Sequence, residues 1–124
     1  MTKDNITLFV QAYIEAMKWL TTENELDLDL SDANDYELSQ GCSEKIQKDC
    51  AEFIADNLAV LQSVISTAYT WGSAGHDFYL TRNGHGAGFW DRGLGSAGDV
   101  LSDAARACGE THEFIAEDGL IYSN

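Results

Sequence analysis

The residues best suited to chemistry lie between positions 77 and 92. There Asn83-Gly84-His85-Gly86-Ala87-Gly88 sets three glycines around one histidine. Glycines let a backbone approach a ligand closely, and a histidine at the tip can donate, accept or transfer a proton. Arg82 and Arg92 would supply charge for an anion, and Asp77 or Asp91 would orient the imidazole. With Asn83 and Trp90 they make one candidate loop site: Arg82, Asn83, His85, Trp90, Asp91 and Arg92. The signature of an enzyme is missing from it. A phosphate loop wants a helix directly after the glycines or a Walker lysine, whereas Phe89-Trp90 follow. Ser96 and Ser102 lack a nucleophile elbow, and His76 and His85 are not four apart on a helix. No catalytic residue is assigned. Gly84 and Gly86 read first as turn residues that take positive φ, and Arg82, Asp91 and Arg92 as a charge network across a hairpin.

The second concentration of chemistry is acidic. Glu23, Glu25, Asp27, Asp29, Asp32, Asp35 and Glu37 fall within fifteen residues that hold no lysine or arginine, and the chain as a whole carries a formal charge of −14. Such a surface repels phosphate backbones and anionic lipid and suits a basic partner. The segment is therefore the candidate partner-binding surface, with solubility as its alternative use. Leu26, Leu28 and Leu30 alternate with the acids and suggest a short extended stretch pinned by leucines. Cys42, Cys50 and Cys108 are odd in number and irregularly spaced. Although His112 stands four residues after Cys108, no C-x-x-C pair anchors a zinc site. Neither metal nor cofactor is expected.

These residues need elements to position them. Ile6, Phe9, Val10, Tyr13, Ile14, Met17 and Leu20 recur at helical spacing behind Asp4 or Asn5 as N-cap, in a helix ending near Thr21-Thr22. Ser43 is the expected N-cap of a second helix whose stripe runs from Ile46 to Ala68, with an interruption near Asn57 and an end at Gly72. Asp77–Arg82 and Gly88–Arg92 flank Asn-Gly, the strongest short hairpin signal, and predict strands at about 77–92. A helix over about 94–108 closes with Gly109 at C′, and Glu113–Ala116 with Leu120–Tyr122 predict a second hairpin at about 112–122. The fold class is α+β, one domain over 1–124, helical over 1–72 and hairpin, helix, hairpin over 73–124. No apolar run is long enough to span a bilayer and the first residues do not resemble a signal peptide, so a cytoplasmic protein is expected.

The block from Gly75 to Gly93, with Leu80-Thr81-Arg82-Asn83-Gly84-His85-Gly86-Ala87-Gly88-Phe89-Trp90-Asp91-Arg92-Gly93 at its centre, resembles one in a family of small proteins of tailed bacteriophages and mobile elements. The likeness extends through the following helix to Asp118-Gly119-Leu120-Ile121-Tyr122. It implies a phage or mobile-element origin and carries no catalytic or binding residue with it. By analogy of class, a small acidic phage protein is a counter-defence factor, of anti-CRISPR or anti-restriction type. The reading is thus an acidic interaction protein of the host cytoplasm. It would bind a host protein through that protein's basic nucleic-acid-binding surface, by nucleic-acid mimicry, without itself touching nucleic acid or membrane. Its alternative is a small enzyme or ligand-binding domain built on the His85 loop.

Overall fold

Phe9, Tyr13, Ala16 and Met17 form the buried stripe of a helix that runs Lys3–Leu26 (α1), longer than its apolar pattern suggested. Thr2, rather than Asp4 or Asn5, caps it by accepting from the Asn5 amide at 3.2 Å. The computed structural model describes residues 2–26 and 36–124, with side chains for 2–22 and 36–124. The helix continues past Thr21 and Thr22, both buried, where the Thr22 hydroxyl donates to the Lys18 carbonyl at 2.9 Å. Ser39, not Ser43, caps the second helix, Gln40–Asp56 (α2), by accepting from the Cys42 amide at 3.1 Å. Asn57 interrupts the helical run as expected and a short helix follows, Leu58–Val64 (α3).

The expected first hairpin is replaced by a helix, Trp71–Arg82 (α4), and a 3-10 turn, Phe89–Asp91. Local chemistry explains the difference at both ends. Thr70 and Ser73 form a reciprocal capping box that starts α4, so Gly72 sits inside a first turn instead of ending a helix. Asn83-Gly84 then ends α4 with a Schellman motif. The His85 amide donates to the Leu80 carbonyl at 3.0 Å and the Gly84 amide to Thr81 at 3.2 Å, with Gly84 at φ +72°. The same dipeptide that signals a hairpin turn thus serves as a helix stop. Residues 77–82 are all buried, so α4 shows no polar face and its aromatic run imitates a strand.

After the 3-10 turn comes Ser96–Ala107 (α5), ended by Gly109 at φ +81° as expected. The terminal hairpin is also as expected: Glu113–Ile115 (β1) pairs antiparallel with Ile121–Ser123 (β2), Phe114 opposite Tyr122. It is the one sheet among the described residues, and Leu38 adds an isolated parallel bridge to Ile121. The class is α+β, with the helices dominant. At the centre α4 lies against α1, and Gly75 makes this close: a Cβ there would fall on the Phe9 carbonyl. Phe53 of α2 stacks on Phe78 of α4 with ring centroids 4.1 Å apart, and Phe9, Tyr13 and Phe89 complete the aromatic core. No helix among the described residues is long and apolar enough to cross a membrane.

Candidate functional site

Asp77 is almost wholly buried on α4, and an ionised carboxylate there needs partners. It has them. The Tyr69 hydroxyl donates at 2.7 Å, and the Arg92 guanidinium donates through Nη2 at 2.9 Å and through Nε at 3.1 Å. Burial works against the charged form, but the adjacent His76 with Arg92 and Tyr69 outweighs it and holds the carboxyl below its ordinary range. In the other direction, burial and the bond to Asp77 push the Tyr69 phenol far up, so it stays a donor. Asp77 therefore fixes Arg92, which reaches it from the segment after the 3-10 turn while remaining about one-third exposed.

Arg92 and His76 line two adjoining hollows of about 320 Å³ each. One is polar, with Tyr69, Ser73 and Asp77. The other is walled by Ala16, Trp19 and Leu20 of α1, Leu80 of α4, and His85, Gly86 and Ala87 of the loop. The Schellman motif places His85 here, its ring stacked on Tyr79 at 6.2 Å between centroids. The 3-10 turn that delivers Arg92 is anchored by Asp91, which accepts from the Gly88 amide at 3.1 Å, and by Thr81, which accepts from the Phe89 amide at 3.1 Å. Gly88 has no alternative at this point, because a Cβ would strike the Thr81 hydroxyl. The result is an apolar cleft with a preset guanidinium and two imidazoles at its edge, an arrangement that can bind and orient an anionic group.

The sequence-derived loop site is split by the fold. His85 and Arg92 meet at the cleft, and Asp91 lies 3.7 Å from Arg92 while capping the turn. Arg82 belongs elsewhere: buried under the Phe78 ring, it donates to Asp49 at 2.9 Å, Tyr13 at 3.3 Å, and the carbonyls of Cys108 and Gly109 at 3.2 and 2.9 Å. It ties α1, α2, α4 and the end of α5 together, in place of the expected network across a hairpin. Asn83 serves structure as well, donating to Tyr79 and accepting from the Thr111 amide at 2.7 Å. Trp90 is half exposed beside the buried Phe89 on the 3-10 turn. Asp77 bonds Tyr69 and Arg92 and does not orient His85. Sequence reasoning missed Trp19, His76 and Tyr69 as site residues, and only their convergence in space marks them.

Of the acidic segment, Glu37 is exposed, and its carbonyl accepts from the Ile121 amide at 2.9 Å. Glu23 and Glu25 lie on the last turns of α1, past its expected end near Thr21-Thr22, with side chains outside the described residues. Asp27, Asp29, Asp32 and Asp35, with Leu28 and Leu30, lie outside the described residues altogether. Cys42 and Cys50 are buried free thiols and Cys108 is an exposed one. Burial pushes the Cys42 thiol up to about 11, well away from a reactive thiolate. Among the described residues no three metal-ligating side chains converge. No protein-family model, curated protein or solved structure matches this chain.

Proposed function

We propose that this chain is a phage-encoded acidic interaction protein that binds a host nucleic-acid-binding or defence protein on its basic surface and blocks that surface as a nucleic-acid mimic. The observation that carries the reading is how the positive charge is spent. Of seven basic residues, Lys45, Lys48, Arg82, Arg92 and Arg106 pair with carboxylates of this same chain. The net of −14 already counts all seven, and the pairing of five of them leaves few cations to form a basic patch, so the field outside the molecule is strongly negative. Such a field accelerates encounter with a basic surface and disfavours nucleic acid itself. The resemblance of the Gly75–Gly93 block to phage and mobile-element proteins supports the origin.

The test begins with capture of the partner from a bacterial host and continues with the purified pair. Duplex DNA should compete with this protein for the partner, and the association rate should fall steeply between low and raised salt. Neutralising Glu23, Glu25, Asp27, Asp29, Asp32, Asp35 and Glu37 to Asn or Gln should lower that rate and flatten its salt dependence while thermal stability holds. Equal rates and equal salt slopes for both proteins would remove the segment from the binding surface. A second reading, a ligand-binding domain using the His85 loop, is favoured by one observation, the joining of His85 to Arg92 in a single cleft.

A further inference from the structure

We propose that the cleft between α1, α4 and the His85 loop is a binding site for a carboxylate carried on a flat apolar body, such as a single aromatic ring. The inference rests on the second reading above and is independent of the acidic-surface reading. A guanidinium has two edges that can each grip a carboxylate. In Arg92 the edge of Nε and Nη2 is filled by Asp77, at 2.9 to 3.1 Å. Among the described residues Nη1 makes no hydrogen bond, so the second edge is available to a ligand. Asp77 is itself buried and braced by Tyr69, which makes the direction of Arg92 a property of the fold rather than of a mobile side chain.

The walls define the rest of the ligand. Ala16, Trp19, Leu20, Leu80 and Ala87 are apolar, and at about 320 Å³ the space is at the small end of ligand pockets. Trp19 is 41% exposed and lines this hollow, a large indole on which a ring can pack. His76 and His85 also line this hollow, as residue types that can donate a hydrogen bond. A phosphate ester fits less well: it brings two charges into the field of a −14 protein and wants more donors than one arginine edge supplies. A singly charged carboxylate needs two donors and leaves its ring to the indole and the leucines.

Gly86 provides a clean test. It lines the cleft, takes no positive φ, and a Cβ there would meet nothing within 4 Å, so Gly86→Leu should obstruct the mouth without disturbing the fold. Benzoate, benzamide and benzylammonium are titrated into the full chain and followed by NMR at the Trp19 indole N–H and the ring protons of His76 and His85. Saturable shifts of all three side chains with benzoate, at least tenfold weaker with benzamide and in Gly86→Leu at unchanged melting temperature, are expected. A peptide ending in a free phenylalanine carboxylate, run beside benzoate, tells by which binds tighter whether a chain end or a free acid is the natural source. Equal response to benzamide, or a preference for benzylammonium, would overturn the carboxylate while leaving a ligand cleft. No saturable response to any probe, or an unchanged one in Gly86→Leu, would overturn the cleft as a ligand site as well.

Discussion

Two glycines two residues apart do different work. Gly84 sits at φ +72° in the Schellman motif that stops α4, whereas Gly86 has neither a positive φ nor a neighbour that a side chain would strike. Valine at 84 must adopt a left-handed backbone and should destabilise by about 1–2 kcal/mol. Valine at 86 should stay within about 0.5 kcal/mol of wild type, as for most exposed substitutions. Urea melts of the two variants check this, and equal losses would show that both positions are constrained. The expectation that both glycines satisfy positive dihedrals holds for Gly84 alone, whose φ of +72° belongs to the Schellman turn.

Between elements, the tightest constraint is the contact of α4 with α1 at Gly75. Any Cβ there falls on the Phe9 backbone, so the helices would have to separate and the Phe9, Phe53 and Phe78 contacts would loosen. Gly75→Ala should cost about 1–3 kcal/mol through overpacking, even though alanine is the better helix former. A thermal melt decides the sign: a gain in stability would mean that helix propensity outweighs packing at this crossing. Helix α4 also carries His76 and Leu80 of the cleft, so the same variant should broaden or shift the Trp19, His76 and His85 resonances.

For the whole molecule, acid should be the sensitive axis. Burial raises the carboxyls of Asp49 and Asp77, but Lys45 and Arg82 for the first, and His76, Arg92 and Tyr69 for the second, lower both below the ordinary 3.8. A group whose folded value is depressed stabilises fully above the unfolded value, and that stabilisation is lost as pH falls through the folded one. Stability should therefore hold down to about pH 4 and fall below it. Asp77→Asn should cost about 1–2 kcal/mol at neutral pH, by removing the buried partner of an Arg92 that is partly solvated and keeps Asp91 at 3.7 Å, and should make the acid decline shallower. Denaturant unfolding of both proteins at neutral pH and at about pH 3 tests this, and parallel declines would show that Asp77 does not contribute to the acid response.

The α+β class, the long first helix, the break at Asn57, the helix closed by Gly109 and the terminal hairpin are all legible in the chain, because each rests on local periodicity or on a cap within a few residues. The acidic composition is legible by count alone. The Thr70–Ser73 cap at the start of α4 is local, but the choice between helix and hairpin over 77–92 was decided only by the tertiary structure. An Asn-Gly turn serves a hairpin and a helix stop equally well in isolation, and a helix buried on every side keeps no amphipathic pattern to announce itself. Packing of α4 against α1, through Gly75 and the aromatic core, selects the helix. The same packing sends Arg82 into the interior and brings Trp19, His76, His85 and Arg92 together from distant parts of the chain. Such a convergence depends on long-range contacts that no window of sequence contains.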